Sequence, residues 1–186
     1  PGSPELARLL TREQDRLHLN EKHPEDGRLL KENMHGDRRV AVHLGEGWYV
    51  PRALLPTREK RALLLIDPPF EQVDEMERCA QSLSEAISRM RQAVVAIWYP
   101  IKDLRQLSRF YRDLQKSKAP KLLRVELYVH PTDEAARLNG SGLVISNPPW
   151  GLEDELKQIL PWLADLLRQS QGGWRLDWLI EENSGS

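Results

Sequence analysis

Leu63-Leu64-Leu65-Ile66 with the stripe that follows it limits the fold of this chain more than any other feature. Four aliphatic residues in a row suit a buried strand and are too few for a helix. Val73, Met76, Ala80, Leu83, Ile87 and Met90 then recur at three-four spacing, with Cys79 beside them, which predicts a helix packed on a sheet. The same order repeats at once. Residues 93–98 form an apolar run ended by Tyr99-Pro100, and Leu104, Leu107, Tyr111 and Leu114 trace another helix. Strand, helix, strand, helix predicts an α/β architecture.

The flanking segments extend it. Ser3-Pro4-Glu5 combines a cap residue, a proline suited to the first helical position and an early acid, and opens a helix through Leu6, Leu9 and Leu10. A strand is expected to end at Glu21, residues 23–27 read as a turn, a short helix covers residues 29–34, and residues 40–44 form the next strand, stopped by Gly45-Glu46-Gly47. Residues 122–129 and 142–146 read as two strands with no helix between them, so an antiparallel pair should close a mostly parallel sheet. A last helix over residues 152–167 is expected to break or kink near Pro161, and residues 174–180 to form an edge strand. At 186 residues the chain suits one domain, residues 1–186, with no internal repeat.

Charge names no partner, because 27 Lys and Arg nearly cancel 28 Asp and Glu. One cysteine and no apolar run of about 18 residues lead us to expect a soluble, cytoplasmic protein without a membrane span. No export signal precedes the first strand, and the chain begins without Met, as a fragment would. The histidines His18, His23, His35, His43 and His130 lack metal-site spacing, so no metal is expected. Neither a Walker loop nor a serine-nucleophile elbow occurs, which argues against phosphoryl transfer and hydrolase chemistry.

In an open α/β sheet ligands bind beyond the carboxyl ends of the parallel strands, where Glu21, Glu46 and Asp67 are expected. Glu21 can accept both hydroxyls of a ribose, and Glu46 beside the small Gly47 can line a purine pocket. Each is also readable as a solvated loop residue or cap. Asp67 is followed by Pro68, Pro69 and Phe70, and this order suits methylation of an exocyclic amine. Such an amine needs acceptors: a carboxylate and the Pro68 carbonyl can take its two hydrogens, the prolines remove competing N–H groups, and Phe70 can stack on the base. The plain alternative is an Asp-Pro turn. A second string, Asn147-Pro148-Pro149-Trp150, reads equally well in isolation, but an antiparallel strand before it would send Asn147 to the opposite rim. It is therefore read as a strand exit, with Trp150 covering an apolar edge. Arg105, Arg109, Arg112 and Lys116 recur at helical spacing, with Lys118 and Lys121 beyond; they can touch phosphates, although a solvated face is the favoured reading.

The chain resembles the RlmJ-type large-subunit ribosomal RNA adenine-N6 methyltransferases along its length. The resemblance rests on PGSP at residues 1–4, Glu21-Lys22-His23-Pro24, DRRV at 37–40, LIDPPFE ending at Glu71, WYPIKD from Trp98, LNGSGLVISNPPWGL ending at Leu152 and ILPWL ending at Leu163. It implies a class I, Rossmann-like fold that uses S-adenosylmethionine, a catalytic Asp67, and donor contacts at Ser3, Glu21, Glu46, Gly47 and Asp67. Relatives commonly have Asp-Gly where this chain has Glu46-Gly47. The family's first strand, glycine-rich donor loop and amino-terminal segment have no counterpart, so the chain resembles a carboxyl-terminal portion. The implied reaction is N6 methylation of an adenine in unassembled or partly assembled 23S ribosomal RNA by a monomer. A non-catalytic nucleic-acid-binding relative and an adenine-N6 DNA methyltransferase are the alternatives.

Overall fold

The computed structural model describes residues 2–131 and 137–181, which leaves Pro1 of the PGSP segment outside the described residues. The chain forms two compact units, Pro1–Ala53 and Leu54–Ser186. In the first, helix α1 (Ser3–Leu10) precedes strand β1 (Leu17–Glu21), helix α2 (Pro24–Asn33) and strand β2 (Val40–Leu44). β1 and β2 pair in parallel from Leu17↔Val40 to Glu21↔Leu44, with α2 as the crossover. α2 begins at Pro24, five residues earlier than expected, because His23-Pro24-Glu25-Asp26 is a helix start: an extended cap, proline in the first turn and two acids against the helix dipole. Gly27 does not end it. A Cβ there would lie 2.1 Å from Leu44 Cδ2, so the missing side chain lets α2 come close to β2.

Arg39 fastens the unit at the amino end of β2. Its guanidinium donates to Asp37 Oδ1 at 3.0 Å and Oδ2 at 2.6 Å, and to the carbonyls of Arg8 and Thr11 at 3.1 and 2.8 Å. The hydrogen bonds from the Arg39 side chain, and then from its backbone N–H, hold the Asp37 carboxyl down at about 2, against an ordinary 3.8. A lowered native pKa means that the pair stabilises the fold above the unfolded value and is lost as pH falls through the native one. Asp37→Asn should therefore flatten the stability curve between about pH 4 and 2 in urea titrations. A variant whose curve runs parallel to that of the parent through this window would show that Asp37 gains nothing from Arg39.

A 3-10 turn (Gly47–Tyr49) leads into α3 (Val50–Leu54), where the units divide. The second unit contains β3 (Leu63–Ile66), α4 (Glu75–Arg89), β4 (Val94–Ile101), α5 (Leu104–Gln115), β5 (Leu122–Tyr128), β6 (Gly140–Ser146), α6 (Leu152–Leu167) and β7 (Gly173–Ile180). Its five strands lie in the order β3-β4-β6-β5-β7. β3 and β4 are parallel; β6 runs against both β4 and β5, and β7 runs against β5, so β3, β4 and β5 share one direction. The layout is the expected mixed α/β one, with β7 at an edge.

Alternation along the strands supplies two apolar faces. Leu123, Val125, Ile145 and Leu160 form a core between the sheet and α6, joined by Leu143, Leu156, Leu176 and Trp178. α5 covers the other face with Leu107, Phe110 and Leu114, and α4 packs on α5 and β4 through Met76, Cys79, Leu83, Ala86 and Ile87. Leu83 and Ile97 are fully buried, which stabilises the fold by about 1.5–3 kcal/mol each.

Four local expectations are corrected. β3 is not a buried strand: Leu63 and Leu65 are 73% and 50% exposed, because β3 lies at the end of its sheet and its outer edge has no partner among the described residues. β4 does not stop at Tyr99-Pro100 but runs to Ile101. β3 pairs only as far as Ile97, so beyond that point a residue facing the β3 side of β4 needs no N–H. Val73 precedes α4 and is exposed rather than part of its stripe, since Asp74 is the cap. α6 passes through Pro161 unbroken, because Leu160 and Ala164 on either side are buried and packing offsets the lost hydrogen bond. No helix among the described residues is long and apolar enough to cross a membrane.

Candidate active site

Parallel pairing of β3 with β4, ending at Ile66↔Ile97, delivers Asp67 to the carboxyl rim of the second unit's sheet. Asp67 is solvent-exposed and accepts no hydrogen bond among the described residues. Partial burial nonetheless raises its carboxyl pKa above the ordinary aspartate value, since protein mass on one side excludes some of the water that would solvate the charge. The Asp67 charge also acts on Cys79, whose thiol is pushed up to about 12 by burial first and by Glu75 and Asp67 after it. Cys79 is therefore a buried, protonated core residue and not a nucleophile.

Pro68 and Pro69 offer no N–H, so the amide donors that would compete for an incoming amine are missing from this loop. Phe70 takes a left-handed backbone with φ 54°, a conformation that a bulky residue adopts only when its surroundings enforce it. Its ring lies against Trp98, with centroids 5.8 Å apart and planes at 55°. Trp98 stands one step beyond Ile97, level with Asp67. The sequence reading did not name it in the site, although an indole at the end of the neighbouring parallel strand was the available signal.

In the first unit the register Glu21↔Leu44 brings Glu21 and the 45–47 loop to one rim. Glu21 Oε1 accepts from the backbone N–H of His23 at 2.9 Å, and Oε2 has no partner among the described residues. Glu46 pairs with Lys22 at 2.9 Å, and the Asn20 amide donates to the Gly45 carbonyl at 2.8 Å. A Cβ on Gly47 would meet the Asn20 amide nitrogen at 3.5 Å, an ordinary contact. The rim thus presents the carboxylates of Glu21 and Glu46, acceptors that suit the hydroxyls of a nucleoside.

Ser3 is exposed and lies inside α1 rather than capping it. The cap is Gly2, whose carbonyl accepts from Glu5 and Leu6 at 3.1 Å each and so starts the first turn one residue earlier than the side-chain pattern indicated.

The Asn-Pro-Pro-Trp string lies where the antiparallel argument put it. Ser146 pairs with Val95, so Asn147 leaves the sheet at the amino end of β4, the rim opposite Asp67. Its amide donates to the carbonyls of Arg91 at 2.8 Å and Ala93 at 2.9 Å, which pins the chain entering β4. Trp150, expected to cover an apolar edge, is instead 101% exposed. The apolar stripe of α6 starts only at Leu152, and Trp150 falls outside it. Among the described residues no group of three His, Cys, Asp or Glu side chains is placed to hold a metal ion.

Residues 1–180 match a family model described as RsmJ, ribosomal RNA large subunit methyltransferase D, RlmJ. The chain is 37% identical to the ribosomal RNA large subunit methyltransferase J of Haemophilus influenzae over 182 residues, 97% of this chain and 65% of that one. It is 37% identical to the protein of the same name from Escherichia coli over 183 residues, again 65% of the relative, so it spans about two thirds of the length of these curated relatives. It is also similar to the crystal structure of protein LPL1258 from Legionella pneumophila, with TM-score 0.88 and 31% identity over 95% of this chain and 66% of that one. With the family model matched across nearly all of its residues, the chain belongs to the RsmJ (RlmJ) family.

Proposed function

We propose that the protein of which this chain is part transfers a methyl group from S-adenosylmethionine to the N6 amine of an adenine in 23S ribosomal RNA, acting as a cytoplasmic monomer on unassembled or partly assembled RNA. The observation that carries this reading is Asp67, a carboxylate without a hydrogen-bond partner among the described residues, at the carboxyl end of a parallel strand and followed by two residues without N–H groups and an aromatic ring. The match to an rRNA methyltransferase family supports it. Both units would belong to one methyltransferase domain. Ser3, Glu21, Glu46, Gly47 and Asp67 would hold the donor, which supplies an electrophilic methyl group on a sulfonium.

Asp67 and the Pro68 carbonyl accept the two amine hydrogens, which weakens conjugation of the N6 lone pair with the ring and frees it for attack. A methyl donor bound beside it would supply an electrophilic methyl group to that lone pair, and the proton that the methylated amine releases would pass to solvent at the exposed Asp67. The complete protein, given deproteinised 23S RNA and a labelled donor, should place the label in N6-methyladenine. Label absent from adenine would end this reading.

A paired, stacked adenine cannot reach Asp67, so the base must leave its stack. That costs a few kcal/mol, of which stacking on Phe70 can return about 1–3 kcal/mol. Phe70→Ala in the complete protein should therefore raise the KM for RNA about tenfold or more and leave donor affinity unchanged. A fluorescent adenine analogue at the target should brighten when the parent protein binds. An analogue that stays quenched while its site is methylated normally would rule out base extrusion.

A further inference from the structure

The outer face of α5 carries a charge that the chain as a whole does not. Residues 102–121 hold seven Lys and Arg against two Asp, a net +5 within a chain of formal charge -1. The helix buries Leu107, Phe110 and Leu114, so Arg105, Arg109, Arg112 and Lys116, at i, i+4, i+7 and i+11, share the opposite, exposed face. A purely solvated face interleaves both signs, because like charges one turn apart repel. Here both acids are engaged. Asp103 caps the helix by accepting from the Arg105 N–H at 2.8 Å, and Asp113 sits between Lys116 at 2.7 Å and Arg109 at 3.8 Å. Glu77 reaches Arg109 at 3.6 Å. Lys102, Arg105, Arg112 and Lys118 are exposed and have no ion-pair partner among the described residues.

Placement gives these cations a direction. β4 ends at Ile101 and α5 begins at Leu104, so the first turn of α5 stands at the carboxyl rim of β4, the rim that receives Asp67. From Arg105 to Lys116 the strip runs back from that rim for about 16 Å, at roughly 1.5 Å per residue. It is long enough for several successive phosphates. Exposed guanidinium groups can each grip a phosphate through two parallel hydrogen bonds.

We propose that this face of α5 docks the sugar-phosphate backbone of the RNA whose base enters the Asp67 site; that the polyanion is RNA rests on the function proposed above. The strip selects no sequence. It sets the register of the strand and supplies sequence-independent affinity.

The test is anisotropy of a labelled, unstructured RNA oligonucleotide with this chain across roughly 50 to 200 mM salt. Arg105→Glu/Arg112→Glu should weaken binding about tenfold or more and make the log–log salt slope shallower by about 1.4, the release expected for two single-strand phosphate contacts. Arg91→Glu, which reverses an exposed cation preceding the opposite end of β4, should leave affinity within about twofold and the slope unchanged. All variants should keep the thermal unfolding midpoint of the parent. An unchanged slope in the double variant, an equal loss in Arg91→Glu, or tighter binding to phosphatidylserine vesicles than to RNA would each overturn the proposal. RNA binding that depends on the strip in a protein that methylates nothing would sink the proposed function alone. Methylation by a parent whose RNA affinity ignores the strip would sink the strip alone.

Discussion

Asp67→Ala in the complete protein should lower methyl transfer to ribosomal RNA by about 100-fold or more, the loss typical of removing one positioned polar group from the reacting centre. The fold should survive, because Asp67 makes no hydrogen bond among the described residues and its environment opposes its charge. A carboxyl whose native pKa is raised contributes stability that is full below its unfolded value and is lost as pH rises through the native one, so at neutral pH its removal forfeits no electrostatic stability. The raised pKa also shapes the rate profile. Only the ionised acid is a full acceptor for the amine, so activity should fall on the acid side at a pH above that of an ordinary exposed aspartate. Asn147→Ala is the matched comparison. It deletes hydrogen bonds of 2.8 and 2.9 Å to carbonyls at the opposite rim, so it should cost about 1–3 kcal/mol of stability and leave the turnover of folded molecules largely intact. Near-normal turnover in Asp67→Ala would remove the carboxylate from the chemistry, and collapse in a folded Asn147→Ala would transfer the role to the other string.

The opposite rims of the two strings were legible because strand direction follows from connectivity. Two strands without an intervening helix must run antiparallel, and that alone placed Asn147 away from Asp67. Local chemistry also located β1, β2 and α4, where apolar period and turn residues agree. It failed where a residue has two uses. Pro24 suits a turn but starts a helix, Pro100 suits a stop but lies within β4, and Pro161 suits a break or a kink but lies in a helix that continues past it between buried neighbours. The exposure of Leu63 and Leu65 was not readable either, because four aliphatic residues look the same in a central strand and in one whose outer edge is open. Trp98 was missed for the opposite reason. Its place beside Phe70 depends on the β3–β4 register, which no single segment encodes.

The largest stability effect should come from Glu126, a residue that periodicity treats as one more polar position in β5. It is 2% exposed, on the sheet face covered by α5. Its Oε1 accepts from the hydroxyls of Tyr99, at 2.9 Å, and Tyr111, and its Oε2 accepts from that of Tyr128. Burial first, with the Glu126 carboxylate adding to it, holds these three phenols well above their ordinary pKa, so they stay protonated and able to donate. Arg124, two residues back on the same strand face, lies 4.5 Å over the Tyr111 ring and grips Asp177 of β7 at 2.8 and 2.6 Å. Gly142 belongs to this arrangement, since a Cβ there would lie 2.2 Å from Tyr99 Cζ and drive the ring off its acceptor. Glu126→Ala would strand three hydroxyls in or near the core and leave the charge of Arg124 short of a counterpart. The expected cost is about 3–5 kcal/mol, the range for breaking a buried charged network by removing one partner. Glu126→Leu should fare little better by itself. Combined with Phe at positions 99, 111 and 128 it should recover most of the loss, because the demand for an acceptor disappears together with the acceptor. Urea unfolding of the four-way cycle separates the cases. If Glu126→Ala costs under about 1 kcal/mol, or if the Phe background fails to soften the Leu substitution, the three tyrosines find their partners elsewhere and the carboxylate is not what holds this face together.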